Sequence, residues 1–195
     1  MKNVLIINAH QKYEGFADGN LTKDIINTTE KFFLENGFNV THTYIEEGYE
    51  IEEEAQKLID ADYIFFQYPV YWMSIPWIAK KYFDEVLTSN QGKIYANDGR
   101  SREDSSKTYG SGGLLKDSKY MLSLTYNCPI SEFSNKDGFF EGLSLDEANF
   151  SVHKIFQFIG AQKLETYGMF DVYKGDMNLE NELSNLQDLL KKNFL

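Results

Sequence analysis

The chain has little that would support disulfide formation or the binding of anionic polymers. Its only cysteine is Cys128, so no intrachain disulfide can form, and a reducing compartment suits it. It has 19 Lys and Arg residues and 30 Asp and Glu residues, so its net charge is −11. This negative charge argues against a surface that binds nucleic acid or an anionic membrane. The apolar run at the N-terminus is too short for a signal peptide or a membrane span. We therefore expect a soluble cytoplasmic protein.

Several motifs of nucleotide-binding and hydrolytic proteins are also missing. The sequence has no Gly-x-Gly-x-x-Gly after its first apolar run and no Gly-x-x-x-x-Gly-Lys-Ser/Thr. Its three histidines, His10, His42 and His153, lack metal-ligand spacing, and no serine lies in a nucleophile-elbow context. We expect His153 to be a packing residue and His10 a turn residue. Chemistry is therefore expected to belong to a bound cofactor.

Hydrophobic patterns predict strands and helices in alternation. The predicted strands are residues 4–8, 39–44, 63–68, 120–126 and 166–172. The predicted helix faces hold Leu21, Ile25, Thr28 and Phe32; Ile51, Ala55, Leu58 and Ile59; Ile75, Ile78, Ala79, Tyr82 and Val86; Val152, Ile155, Phe156 and Ile159; and Leu179, Leu183, Leu186 and Leu190. Ser74 is predicted to cap the third helix, with Pro76 in its first turn, and Asp146 to start the fourth.

This alternation predicts one α/β domain over residues 1–195. Its fold is expected to be flavodoxin-like: a five-stranded parallel sheet in the order 2-1-3-4-5, with helices on both faces. In such folds ligands bind where the strands end at the carboxyl edge of the sheet.

Aromatic residues are concentrated just after the third predicted strand. Tyr71, Trp72 and Trp77 follow Pro69 there, and their rings are suited to cover a large flat heterocycle such as a flavin. The alternative is that these rings are core or belong to a dimer interface.

Two further segments are expected at the same edge. After the first strand, Gly19, Asn20 and Thr22 can offer donors to a phosphate at a helix N-terminus; the alternative is an ordinary helix start. After the fourth strand, the backbone N–H groups of residues 125–129 can face the pyrimidine end of a flavin; the alternative is a polar turn closed by Pro129.

A polar insertion, residues 95–119, separates the third helix from the fourth strand. Within it, Tyr109 and the glycines that follow can approach a flat ligand, although a flexible solvent loop is an equal alternative. A loop of this length in a compact domain usually has a function.

Along nearly its whole length the sequence resembles the bacterial NADPH-quinone reductases of the modulator of drug activity B type, in the flavodoxin-like quinone reductase family. The stretches that carry the resemblance are residues 3–8, 72–73, 76–77, 80–82, 95–100, 109–114 and 119–125. The resemblance implies a homodimer with one FAD per subunit. It also implies a ping-pong reaction in which NADPH reduces the flavin and leaves, and a quinone then accepts both electrons in the same pocket.

The resemblance also implies the cofactor site. The adenosine and pyrophosphate would lie along Ala17, Asp18, Gly19, Asn20, Leu21, Thr22, Lys23 and Asp24. The isoalloxazine would be surrounded by Val70, Tyr71, Trp72, Met73, Tyr109, Thr125, Tyr126, Asn127 and Cys128, with Tyr109 and Tyr126 near the ring. No side chain is required as a nucleophile, and no metal is implied.

The sequence departs from the family pattern at three places. Residues 15–19 replace a His-Ser pair that precedes an Asn/Lys-Gly motif, so a phosphate donor is lost and Asp18 adds a repelling carboxylate. Tyr71 and Tyr126 replace tryptophans of the family's Gly-Trp-Trp-Met and Thr-Trp-Asn motifs, which keeps flat rings but changes the acceptor pocket. FMN in place of FAD, an azo or nitro reductase, and an acidic electron-carrier flavoprotein remain the alternatives.

Overall fold

A computed structural model describes residues 1–174 and 177–195, and the ranges below fall within them. The strands are β1 Asn3–Asn8, β2 Asn39–Tyr44, β3 Tyr63–Pro69, β4 Lys119–Thr125, β5 Gln162–Lys163 and β6 Tyr167–Met169. The α-helices are α1 Asn20–Glu35, α2 Ile51–Asp60, α3 Trp77–Ser89, α4 Leu145–Ala148, α5 Phe150–Phe158 and α6 Leu179–Phe194. Among these described helices, none is long and apolar enough to cross a membrane.

The strands form a single parallel sheet in the order β2-β1-β3-β4-β5, and β6 pairs with a later stretch of β4. The predicted strand order is confirmed. All seven residues of β3 are buried, as expected for a central strand that is covered on both faces.

Alternate side chains of the strands pack in two hydrophobic cores, one on each face of the sheet. Leu5 and Ile7 pack with α2, α3 and α5, while Val4 and Ile6 pack with α1 and α6. Side chains alternate across a strand, so continuously apolar strands need helices on both sides. The predicted two-sided architecture is therefore confirmed.

The last predicted strand, residues 166–172, is wrong in its extent. The chain instead forms two short strands, β5 against Lys119 and Tyr120 and β6 against residues 123–125 of β4. Between them the Thr166 hydroxyl donates a hydrogen bond of 2.6 Å to the Asp146 carboxylate. This stretch therefore does not pair with β4. The polar pair of β5 had no apolar signal to predict it.

The predicted starts of two helices are also corrected. Ser74 does not cap α3, because its backbone pairs with Tyr71 in a tight turn and the helix begins at Trp77. Asp146 does not start α4: the start is Leu145, and Ser144 with Glu147 forms a capping box before it. The helix is then interrupted at Asn149.

Candidate active site at the carboxyl edge of the sheet

Loops that follow β1, β3, β4 and β6 line one groove of about 450 Å³ at the carboxyl edge of the sheet. Its walls are His10, Gly15, Phe16, Ala17, Asp18, Gly19, Asn20, Leu21, Thr22, Pro69, Val70, Tyr71, Thr125, Asn127, Val172 and Tyr173. The structure thus brings together most of the predicted cofactor-binding residues, although they come from distant segments of the chain.

The start of α1 forms one end of this groove. Gly19 stands before the helix with φ +87°, and no side chain caps the helix. The first intrahelical bond runs from the Lys23 N–H to the Gly19 carbonyl, so the N–H groups of Asn20, Leu21 and Thr22 are left for another acceptor. A Cβ on residue 19 would lie 3.1 Å from the His10 ring and would also need a strained backbone. This end of the groove suits a phosphate.

The groove continues beyond α1 into a cavity of about 420 Å³ that shares His10, Asp18 and Gly19 with it. Lys23 lines this continuation, and its ammonium group offers a positive charge there. Asp24 lines neither of these two cavities, whose walls consist of described residues.

The loop after β1 is held over the groove by three polar contacts and one stacked pair of rings. His10 Nε2 lies 3.0 Å from the Ala17 carbonyl oxygen, and the Tyr71 hydroxyl donates to the Gln11 carbonyl at 2.9 Å. The Tyr173 hydroxyl donates to the Phe16 carbonyl at 2.6 Å, and the Phe16 and Tyr173 rings stack with their planes 18° apart. Sequence reasoning missed Phe16 and Tyr173 as site residues, because nothing local links two loops so far apart in the chain.

A two-residue turn after β3 forms the other side of the site. Tyr71 and Ser74 exchange backbone hydrogen bonds of 2.9 and 3.2 Å, which places Trp72 and Met73 at the corners. Both corners have positive φ, 46° for Trp72 and 67° for Met73, the geometry of a type I′ turn that normally takes Asn and Gly. The Trp72 side chain is 95% exposed. The fold therefore holds a large aromatic ring in water on a strained backbone, a combination that points to function.

This turn borders a second cavity of about 430 Å³, which shares Val70 and Asn127 with the groove. Its other wall residues are Trp72, Met73, Tyr126, Cys128, Pro129, Glu132, Phe139, Phe140, Asp171 and Lys174. Within residues 1–174 and 177–195, the backbone N–H groups of Trp72, Met73, Asn127 and Cys128 have no protein acceptor. Unpaired donors beside an apolar wall can hold a flat ligand by its polar edge.

Tyr126 and Cys128 belong to the wall of the second cavity. The Tyr126 hydroxyl accepts a hydrogen bond from Asn149 Nδ2 at 3.3 Å, and its ring lies parallel to Phe170. Burial raises the pKa of Tyr126. Burial, with the nearby Asp171 and Glu132 carboxylates, raises the pKa of the Cys128 thiol to about 11, so the thiol stays protonated at neutral pH.

Tyr109 does not join the site within one chain. The insertion leads from the end of α3 into the start of β4, so it lies at the amino edge of the sheet, and β4 is about 20 Å long. Tyr109 packs there against Phe158, with Arg100 over its ring. A Cβ on Gly113 would lie 2.2 Å from the Ile159 carbonyl carbon, so this glycine serves packing within the chain.

Trp77, whose ring we expected over a heterocycle, lies in a separate groove. That groove has a volume of about 620 Å³, and Glu46, Glu50, Glu52 and Glu85 are among its lining residues. So many carboxylates would repel a phosphate, so its size does not make it the better candidate.

His153 has the role expected from the sequence. His153 is buried, with Nε2 3.0 Å from Asp146 Oδ1 and Nδ1 2.9 Å from the Tyr120 hydroxyl, which is the packing role predicted for it. Across the described part of the chain, no group of three or more His, Cys, Asp or Glu residues is placed to hold a metal ion.

A profile of the flavodoxin-like fold family matches residues 2–191, nearly the whole chain. The chain belongs to this flavodoxin-like fold family.

Relatives of this flavodoxin-like chain include enzymes that act on quinones. The NADPH:quinone oxidoreductase MdaB of Haemophilus influenzae is 38% identical, with 98% of this chain and 99% of the relative covered. A candidate quinone reductase structure from Klebsiella pneumoniae superposes with a TM-score of 0.75 at 18% identity, covering 98% of this chain and 83% of that one. The general stress protein 14 of Treponema denticola, solved in complex with FMN, has a TM-score of 0.66 at 17% identity, covering 98% and 99%. At these identities the two structures show the shared fold alone.

Proposed function

We propose that this flavodoxin-like oxidoreductase is a flavin-dependent NADPH:quinone reductase. The observation that supports it best is the pair of joined cavities, with an uncapped helix start at one end and the strained Trp72–Met73 turn at the other. This arrangement offers the apolar side chains and the unpaired backbone donors that can bind a flavin. The 38% identical Haemophilus influenzae relative, an NADPH:quinone oxidoreductase by name, supports the same reaction class.

The residues present fit a flavin at both of its ends. The N–H groups of Asn20, Leu21 and Thr22 would hold phosphate, and those of Asn127 and Cys128 would face the pyrimidine edge. A bound flavin would supply two-electron chemistry, taking a hydride from NADPH and passing two electrons to a quinone that takes up two protons, in a ping-pong order. The protein binds and orients both partners and keeps water from the ring, with no side chain acting as a nucleophile.

We further propose FAD as the resident flavin. The groove continues past α1 into the cavity of about 420 Å³, where Lys23 can face a diphosphate, and FMN has no adenosine to fill this space. Asp18, Glu46 and Glu47 also line this cavity, so their carboxylates would weaken binding of a diphosphate unless cations screen them. FMN, found in the Treponema denticola neighbour, is the competing cofactor.

The proposal includes a cytoplasmic homodimer. Tyr109 is 70% exposed and lies at the sheet edge opposite to the groove of its own chain. A second copy would bring this ring to the open side of the isoalloxazine and would cover exposed Trp72.

Purification and a turnover assay test the function. The protein should be yellow, its heat-released flavin should migrate as FAD, and NADPH should drive reduction of a small panel of quinones. Release of FMN would overturn the FAD assignment alone, and a colourless protein that cannot be loaded with flavin would overturn the function. An azo dye in the same panel separates a quinone reductase from an azoreductase.

Paired variants locate the site. Asp18→Asn should tighten flavin binding and Lys23→Gln should weaken it, because each changes one charge beside the phosphates.

Trp72→Ala should lower quinone turnover, whereas Phe150→Ala, which removes another exposed aromatic side chain on α5, should not. Equal effects of the two aromatic substitutions would contradict the location of the site.

A further inference from the structure

The second cavity, which borders the Trp72–Met73 turn, is suited to a planar guest. Trp72, Met73, Phe139 and Phe140 give it apolar walls, and through Val70 and Asn127 it opens onto the groove assigned to the flavin. If the proposed function holds, the isoalloxazine extends from the groove into this cavity, and an acceptor stacks on its open face here. Flat apolar walls alone would not distinguish one small quinone from another.

Charged side chains in the same wall can make that distinction. Glu132 and Asp171 are both half-buried there, while Lys174, the amine of this wall, is exposed. Charges near apolar walls are less screened by water than an exposed amine. The described wall therefore has a negative character.

Backbone contacts position both acidic residues. Glu132 Oε2 accepts a hydrogen bond of 2.7 Å from the Phe139 N–H, which ties its carboxylate to the loop that forms one wall. The Asp171 N–H donates to the Cys128 carbonyl at 3.1 Å, and Asp171 has φ +52°. The Glu132 carboxylate is therefore held by its own hydrogen bond, and Asp171 is held in the wall through its backbone.

The Cys128 thiol, which lines the same cavity, is affected by these carboxylates. Burial is the main reason that its pKa is raised, and Asp171 and Glu132 raise it further. The same field would act on any charged group that enters. The net charge of −11 for the whole chain adds repulsion of anions at longer range.

We propose that Glu132 and Asp171 make this cavity selective for uncharged or cationic planar acceptors over anionic ones. Repulsion between two like unit charges about 4 Å apart in water lowers the kcat/KM of the charged acceptor about fivefold, relative to an uncharged one. Each carboxylate would therefore impose a penalty of about that size on an acceptor with one negative charge.

The test compares an uncharged naphthoquinone with the same naphthoquinone carrying one sulfonate. The kcat/KM of each is measured with the flavin-loaded protein and NADPH, at low and high salt. Glu132→Gln and Asp171→Asn keep the backbone contacts, because glutamine still accepts from Phe139 and asparagine tolerates the positive φ. Each should raise the ratio of sulfonated to uncharged kcat/KM by about fivefold at low salt. Lys174→Gln should lower the ratio.

Glu35→Gln is the control for net charge, since Glu35 is exposed at the end of α1 that faces the opposite edge of the sheet. It should leave the ratio unchanged, and high salt should narrow the difference between the two quinones in the unmodified protein. Reduction of both quinones with the same ratio in all variants would overturn the charge selection alone. If neither quinone is reduced while flavin is bound, the proposed function fails, and this inference fails with it.

Discussion

At the scale of single residues, Trp72 and Met73 show how far the fold departs from local preference. Bulky side chains rarely adopt positive φ, and each such residue costs about 1–3 kcal/mol. The turn persists because β3 and α3 hold both of its ends. Both residues line the second cavity, which gives the strained turn a functional role.

Replacing this turn should separate stability from activity. Trp72→Asn with Met73→Gly gives the turn the residues it prefers, so the melting temperature should rise while quinone turnover falls. Met73→Gly alone relieves part of the strain and keeps the indole, so it should stabilise the protein with a smaller loss of turnover. Thermal unfolding and steady-state assays measure both effects. A double variant that is less stable than the unmodified protein would contradict the claim that Trp72 and Met73 strain this turn.

Cys128 offers a second prediction at this scale. Because its pKa is raised from 9.0 to about 11, a smaller fraction of the folded thiol is ionised at pH 8. It should react about 10-fold more slowly with a disulfide reagent than the unfolded chain, since a thiolate of higher pKa is also more nucleophilic. The rate in the folded protein should rise steadily as the pH approaches 11. Labelling of folded and unfolded protein measures it, and Cys128→Ala shows the background. Equal labelling rates in folded and unfolded protein would contradict the raised pKa of Cys128.

At the scale of elements, Asp146 ties α4 and α5 to the interrupted edge of the sheet. Its carboxylate contacts His153 on α5, Lys163 on β5 and the Thr166 hydroxyl between β5 and β6. The hydrogen bond from His153, followed by those from Lys163 and Thr166, lowers the pKa of the Asp146 carboxyl. These contacts explain why the fifth strand is split, since Thr166 faces Asp146 instead of a neighbouring strand.

The lowered pKa of Asp146 predicts how stability depends on pH. The ionised carboxylate stabilises the folded chain above the unfolded pKa of about 3.9, and this contribution is lost as the pH falls towards the lower, folded pKa. The urea midpoint of Asp146→Asn should therefore lie below that of the unmodified protein at pH 7, and the gap should shrink below about pH 4. A gap that stays constant down to pH 2 would show that the charge is not responsible.

At the scale of the whole molecule, topology decides which end of the sheet each loop occupies. The loops after β1, β3 and β4 gather at the carboxyl edge, while the insertion before β4 is confined to the amino edge. In the observed conformation Tyr109 packs against Phe158 at the amino edge, away from the groove of its own chain. The proposed homodimer would let this ring meet the flavin site of another copy.

A complementation experiment tests whether Tyr109 acts across a dimer. Tyr109→Ala and Trp72→Ala subunits, each expected to be weakly active alone, are combined as a heterodimer. If Tyr109 serves the partner's site, one of the two sites has neither defect and activity returns. If it serves its own chain, every site has one defect and activity stays low. Light scattering checks the oligomeric state, and a monomer at working concentration would contradict the homodimer.

Much of this fold could be predicted from the sequence, because the signals for its central elements are local. The apolar runs of β1 and β3 require cover on both faces, and their alternation with helices leads to a parallel sheet with ligand loops at its carboxyl edge. The segments at Gly19, Val70 and Asn127 could be assigned to that edge for the same reason. The start of α3 could not, because Trp72 and Met73 are not typical turn residues and give no signal for the tight turn that pairs Tyr71 with Ser74. The division of the last strand could not, because Thr166 binds Asp146, 20 positions away in the chain.

By itself the sequence determined the order of the strands, their two-sided burial and the segments that border the site, since these depend on hydrophobic period and strand direction. Only the tertiary structure decided that Tyr173 stacks on Phe16, that Trp77 lies in a different groove, that Trp72 stands on a strained turn and that Tyr109 lies at the far edge. The strained turn is held by the strand and the helix on either side of it. The other outcomes depend on contacts between residues far apart in the chain, for which the local pattern of side chains contains no signal.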